Sequence, residues 1–311
     1  MTGSHPRHFL SLSDWSREEL EAMLARAAEL KELRGRGVRI DSLAGRSILL
    51  YFEHPSLRTH VSFEIGIAEL GANSVLLPPE QVRIGKREAV EDVAQVLSRW
   101  CHALVARTHS HRLVEDLARF ARVPVVNALT DRAHPCQAVA DALTMREAGG
   151  LGEGRLVWVG DGNNMTHSLI ALAGALGMRL TVSTPEACRP DPELMRAGAE
   201  RARRAGGEIL YEPDPQLAVR NAAFIYTDVW VSMGDEGRAQ DRHRVLAPYQ
   251  VNASLIDRAP TDTKILHCGP AHRGEEVSAD VIDGKRSLFY AQAENRLHAQ
   301  KAILEAVIGV S

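Results

Sequence analysis

Glu53-His54-Pro55-Ser56-Leu57-Arg58-Thr59-His60 is the stretch on which the reading of this chain turns. Before it stands Ser47-Ile48-Leu49-Leu50-Tyr51-Phe52, an apolar run that reads as a buried strand. After it, residues 61–70 carry Phe63, Ile65, Ile67 and Leu70, which suit a packed helix. Pro55 ends the strand, and Ser56 is a natural N-cap for the helix. A strand, a short turn and a helix N-terminus with Ser56, Arg58 and Thr59 together make an anion site. The first N–H groups and the positive end of the dipole face the ligand, the hydroxyls add donors, and a guanidinium fork matches phosphate oxygens.

Working outward, strands and helices alternate. Strands are predicted over 47–52, 74–77, 103–106 and 123–126, and helices over 13–33, 59–70, 90–100, 113–120 and 137–148. The glycine-rich stretch 148–154 is the clearest break in composition. Beyond it a second series begins, with strands over 156–159, 180–182, 208–211, 223–226 and 264–267 and helices over 165–175, 193–204 and 216–220. A last helix is expected over about 294–308. Such alternation implies parallel βαβ units. The expected fold class is therefore α/β, with two doubly wound parallel-sheet domains and the active site in the cleft between them. The domains are placed at 1–147 and 148–291, with the C-terminal helix of about 292–311 packing back on the first.

The 311 residues suffice for two ordinary cores, and 45% apolar with 25% charged residues describes a soluble globular chain. A net charge of −3 argues against nucleic acid or a membrane surface as the main partner. Any anion must be held by a local basic cluster. The four cysteines, Cys101, Cys136, Cys188 and Cys268, are widely spaced and suit a reducing cytoplasm. No signal-peptide pattern and no apolar run of membrane-spanning length is present.

Other candidate residues fall at strand ends. Arg107 follows the strand 103–106, and His134-Pro135-Cys136-Gln137 opens a helix. Each has a plain alternative, a surface arginine or a helix-start histidine, and one His/Cys pair is poor zinc spacing. Gly160-Asp161-Gly162-Asn163-Asn164-Met165 suggests a dinucleotide turn, but Met165 stands at the third glycine position and no acidic residue ends the next strand. Asp228 ends the strand 223–226 and suits a cationic group or a cap. In His267-Cys268-Gly269-Pro270 a thiol nucleophile competes with main-chain carbonyls presented in a turn, and the glycine and proline favour the carbonyls.

Taken together, Ser56-Leu57-Arg58-Thr59, Arg107, His134-Pro135-Cys136-Gln137, Asp161-Gly162-Asn163-Asn164, Asp228, Ser232-Met233-Gly234, His267-Cys268 with Pro270, and Glu294-Asn295-Arg296 resemble the aspartate/ornithine carbamoyltransferase family, most closely its ornithine branch. The resemblance covers nearly the whole chain. It implies that Ser56, the Leu57 N–H, Arg58 and Thr59 bind the phosphate of carbamoyl phosphate, and that Arg107, His134 and Thr59 polarise its carbonyl. Gln137, the Cys268 carbonyl and Arg296 complete that site. Asn164, Asp228, Ser232 and Met233, with the Cys268-Gly269 turn, hold L-ornithine. It also implies a cytoplasmic homotrimer in which the 81–87 loop of a neighbouring chain, with Arg83, reaches the phosphate. The chemistry, amine attack on the carbamoyl carbon with loss of phosphate, needs neither metal nor redox cofactor.

Asp228 disfavours an aspartate acceptor and favours an α-ammonium. The Ser232-Met233-Gly234 motif speaks against N-acetylornithine and putrescine, which lack the free α-amino group or the carboxylate. Three departures from the family pattern stand out: His54 for lysine, His60 for arginine and Gly269 for leucine. Gly269 and His60 leave a carbamoyltransferase for another amine as the alternative, with a non-catalytic anion- or amino-acid-binding relative and a dehydrogenase behind it.

Overall fold

A computed structural model describes residues 6–231, 237 and 239–309. The chain forms two compact units, one of residues 6–14, 18–140 and 295–309, the other of 15–17 and 141–294.

The first unit holds a four-stranded sheet of β1 (Ser47–Phe52), β2 (Asn73–Leu77), β3 (Ala103–Arg107) and β4 (Val125–Leu129). All pairings are parallel, in the order β2-β1-β3-β4. The chain leaves β1 towards β2 on one side and returns to β3 on the other, so the switch point lies between β1 and β3, where α/β ligands bind. Leu49, Tyr51, Leu104, Ala106 and Val125 pack on Val93 and Leu97 of the helix Val90–Leu97 and on Val114 and Leu117 of the helix His111–Phe120. Phe63 and Ile67 of the helix Leu57–Glu69 are buried, whereas Ile65, expected inside, is exposed. β4 begins two residues later than the expected 123, because Pro124 has no N–H to give a ladder. Its carbonyl still accepts from Leu104 N at 2.9 Å. The expected helix 13–33 is a 3-10 turn, Leu12–Asp14, followed by the helix Arg17–Gly35. Its apolar stripe starts only at Leu20, so nothing apolar marks the first turn.

The second unit holds β5 (Arg155–Val159), β6 (Arg179–Ser183), β7 (Glu208–Tyr211), β8 (Ala222–Thr227) and β9 (Lys264–His267), all parallel in the order β7-β6-β5-β8-β9. Its switch point lies between β5 and β8. Val157, Val159, Ile225 and Ile265 form a core with Tyr249, Val251, Val277 and Val281. The expected helix 216–220 is shorter, Pro215–Ala218 running into a 3-10 turn.

The helix Phe289–Ile308 enters the first unit from residue 295 and buries an unusual set of polar groups there. Lys301 is fully buried and reaches Glu69 at 2.7 Å. Glu305 receives Arg26 at 2.6 and 2.9 Å. His298 is 1% exposed, and burial, reinforced by Lys301, Lys31 and Arg34 against Glu69, lowers its pKa to about 4.

A histidine depressed in the folded state binds its proton more readily when unfolded, so stability is complete above the unfolded value and falls as pH drops towards the folded one. His298 alone is therefore expected to remove on the order of 2–3 kcal/mol between about pH 6.5 and 4. Urea titrations at the two ends of that window, on the parent and on His298→Gln, measure it. The variant should lose clearly less on acidification, and equal losses would assign the effect elsewhere.

Candidate functional site

In the first unit, Ser56 caps the helix Leu57–Glu69 from an extended conformation, its Oγ accepting from Thr59 N at 3.3 Å. The cap thus sits where the sequence placed it. Thr59 is buried, and its hydroxyl oxygen accepts from two guanidinium groups, Arg107 Nη1 at 3.3 Å and Arg296 Nη2 at 2.6 Å. Arg107 closes β3 at a register irregularity between Ala106 and Arg107, and such bulges redirect a side chain at a strand end. Arg296 also donates to Gln137 Oε1 and lies 3.5 Å from His134 Nε2. Ser56, Thr59, Arg107, His134, Gln137 and Arg296 are thereby gathered from three strand ends and the C-terminal helix into one cradle.

The cradle is strongly cationic, and this shows in His134. Burial first, then Arg296, Arg107 and Arg58, hold its pKa well below the ordinary histidine value. His134 is therefore a neutral imidazole, and Arg296 beside Nε2 favours the proton on Nδ1. Cys136 is no ligand partner for it: its thiol donates to Asn127 O at 3.3 Å, and burial pushes it up to about 12. Leu57 is exposed at the first turn of the helix. His60 pairs with Glu64 at 3.2 Å and lies against Phe52, and the His54 and His109 rings are 6.4 Å apart. Arg83 is exposed in a left-handed conformation, φ 46°, with Nε donating to Glu80 O at 3.1 Å.

In the second unit, Asp228 follows β8 and is 8% exposed. Asn163 Nδ2 donates to its Oδ2 at 3.0 Å and Cys268 Sγ to its Oδ1 at 2.9 Å. Asn163 is held from its other side, because Oδ1 caps the helix Asn164–Leu176 through Met165 N and Thr166 N. Asn164, expected to hold the acceptor, is the first helical residue; Asn163, from the same motif, is the N-cap that reaches Asp228, and its signal is the side chain of an N-cap, which points back out of the helix at the strand end. Burial first, then Asp228, raise the Cys268 thiol well above its ordinary pKa. A neutral thiol in that position is a poor nucleophile.

The turn after β9 is tightly held. Gly269 N donates to His267 Nδ1 at 2.8 Å, and His267 N donates to Gln292 Oε1 at 2.8 Å. Gln292 Nε2 and Tyr226 Oη both donate to the buried Asp141, at 2.8 and 3.0 Å. Gly269 has φ 72° and precedes a cis Pro270, a backbone conformation that a leucine adopts only with strain. The glycine turn after β5 also has a structural reason. A Cβ on Gly162 would collide with the Cys188 carbonyl and Pro190 N, so this glycine serves chain packing. Ser232, Met233 and Gly234, expected to hold the acceptor, lie outside the described residues.

One switch point thus carries a cationic cradle at a helix N-terminus and the other a buried carboxylate, each on its own parallel α/β sheet. Residues 7–147 match the carbamoyl-P binding domain, and residues 153–307 the Asp/Orn binding domain, of aspartate/ornithine carbamoyltransferase. The chain belongs to this family. It is 48% identical to the ornithine carbamoyltransferase of Halalkalibacterium halodurans over 97% of this chain and 95% of that protein. It is 44% identical to the anabolic ornithine carbamoyltransferase of Pyrococcus furiosus over 97% and 96%. Among solved structures, the ornithine carbamoyltransferase of Pyrococcus furiosus superposes with a TM-score of 0.95 at 42% identity, covering 99% of both chains. That of Thermus thermophilus gives 0.86 at 41%, covering 98% of this chain and all of the other.

Proposed function

We propose that the chain transfers the carbamoyl group of carbamoyl phosphate to the side-chain amine of L-ornithine, giving L-citrulline and phosphate in arginine metabolism. The convergence of Arg107, Arg296 and neutral His134 around the Thr59 hydroxyl carries this reading. Ser56, the Leu57 N–H, Arg58 and Thr59 take the phosphate at the helix N-terminus. Arg107, Arg296 and an imidazole N–H of His134 stabilise charge developing on the carbamoyl oxygen, and Gln137 and the Cys268 carbonyl orient the carbamoyl amide. A neutral His134 donates without bringing a competing proton equilibrium near neutral pH. Asp228 and Asn164 receive the α-ammonium and α-carboxylate of ornithine, aided by the Cys268-Gly269 turn and by Ser232 and Met233.

A cytoplasmic homotrimer accords with four buried free thiols and with apolar residues left outside on the first unit. These include Val61 and Ile65 on the helix Leu57–Glu69 and Val75 and Leu76 on β2, an edge strand. Arg83, pinned in its exposed turn, is the group such a neighbour would contribute to the phosphate. No described helix is long and apolar enough to cross a membrane. Gly269 sustains a second reading, a different amine acceptor, because a leucine side chain is missing from the turn.

The test is carbamoyl transfer to L-ornithine, N-acetylornithine, putrescine, L-lysine and L-aspartate, with and without Arg58→Ala. Citrulline from ornithine alone, reduced by roughly 10²–10³-fold in the variant, is the expected result. Turnover with a different amine would retain the donor site and overturn the assignment of Asp228.

A further inference from the structure

Beyond the turn after β9 lies a cluster of ligating side chains that this reaction does not use. His272, Glu275 and Glu276 each offer one ligand atom, all within 4.8 Å of one another. His272 Nδ1 lies 3.6 Å from Glu275 Oε2 and 3.9 Å from Glu276 Oε2. These separations are too long for hydrogen bonds. They approach the roughly 3.3–3.5 Å between ligands on a tetrahedral ion with bonds of about 2.0–2.1 Å.

A second observation points to a ligand. Glu276 is fully buried, and its two carboxylate oxygens are treated differently. Oε1 accepts from His272 N at 2.6 Å and faces His267 Nε2 at 3.1 Å. Oε2 is buried, and no described residue gives it a hydrogen bond. A buried carboxylate oxygen left that way is costly, and this one is directed at the His272 imidazole. At 3.9 Å the His272 ring makes a long ion-pair contact with it and no hydrogen bond. His243 Nε2 also lies 3.6 Å from Glu275 Oε2, so a second imidazole borders the cluster.

We infer that His272, Glu275 and Glu276 bind a divalent transition-metal ion of the zinc type, with water completing the shell. Imidazole nitrogen with two carboxylates is a donor set for such ions, and the two negative charges balance the ion. Glu276 Oε1 would then act behind the ion: it holds His267, whose Nδ1 receives Gly269 N. The ion would therefore stiffen the turn that carries Cys268.

Asp228, His267 and Cys268 also lie within 4.8 Å of one another, so the experiment must separate the two clusters. Full-length protein, stripped with a chelator, is titrated calorimetrically with zinc and spectroscopically with cobalt(II). The parent and Cys268→Ser should both bind one ion at the His272 site, with a cobalt spectrum free of thiolate charge transfer for Cys268→Ser. His272→Ala and Glu275→Gln, whose side chains are 49% and 44% exposed and so leave the fold intact, should each weaken binding by about 10–100-fold or more. Absence of binding, binding unchanged in both variants, or binding abolished by Cys268→Ser would each overturn the inference.

Discussion

Arg296→Met is expected to lower kcat/KM for carbamoyl transfer by roughly 10²–10³-fold, the usual consequence of removing a charged donor aimed at a developing oxyanion. The structure makes this residue a hub within the first unit. One guanidinium reaches Thr59 Oγ1 at 2.6 Å, donates to Gln137 Oε1 and lies 3.5 Å from His134 Nε2. Methionine fills much of the volume and removes all three interactions. Two of the hydrogen bonds carry a charge, and each contributes roughly 1.5–3 kcal/mol, so unfolding by urea should also come earlier.

The feature that separates a site role from a structural one is His134. After burial, Arg296 is the largest influence holding its pKa down, so the methionine variant should move the acidic limb of the pH–rate profile upward. Burial, Arg107 and Arg58 remain, and the limb should stay below the ordinary histidine value. Arg296→Lys retains the charge without the planar fork. It should keep the limb close to its original place while recovering only part of the rate. A methionine variant of normal kcat/KM and reduced stability would make Arg296 a packing residue and leave the cradle to Arg107 and Arg58.

How much of this was legible beforehand differs between residues, for physical reasons. Ser56, Arg58 and Thr59 were readable because a cap, a turn and a helix start are local events within a few bonds of each other. The cores were readable where apolar residues run without a break, as in Ser47–Phe52, or recur at helical spacing, as from Leu20 to Leu30. The helix Ala239–Leu246 carries no such signal, because its sequence is polar and Leu246 is its one buried residue. β4 slipped because apolar character marks Val123, while ladder geometry obeys the missing N–H of Pro124. The hub role of Arg296 has no local signal at all: it depends on a helix more than 150 residues from His134 along the chain folding back onto it. Only the family resemblance pointed there. Asn163 was hidden by the opposite cause, since its neighbour Asn164 has the same side chain one residue later and only cap geometry tells them apart.

Asp228→Asn is expected to raise KM for ornithine so that kcat/KM falls by about 10²–10³-fold, the range for removing one charge from a buried, hydrogen-bonded pair. KM for carbamoyl phosphate should change little, because nothing in the Thr59 cradle is altered. The substitution is nearly isosteric, yet it removes the charge that would face the α-ammonium. It also disturbs two existing bonds. Asp228 accepts from Asn163 Nδ2 and from Cys268 Sγ, and an amide has one acceptor oxygen where the carboxylate has two. One of the two donors must then meet an NH₂ group, and Cys268 supplies an internal report of it. Asp228 is the second cause, after burial, of the raised Cys268 pKa. Neutralising it should lower that pKa and speed alkylation of Cys268 by iodoacetamide, read by peptide mapping. N-acetylornithine, which lacks the free α-amino group, should compete with ornithine no less well in the variant than in the parent, relative to the ornithine KM of each. An equal weakening of ornithine and of this competitor would place the effect of Asp228 in the scaffold. A fall confined to ornithine, together with a more reactive Cys268, would place the carboxylate against the α-ammonium and explain why its removal is felt at the neighbouring turn.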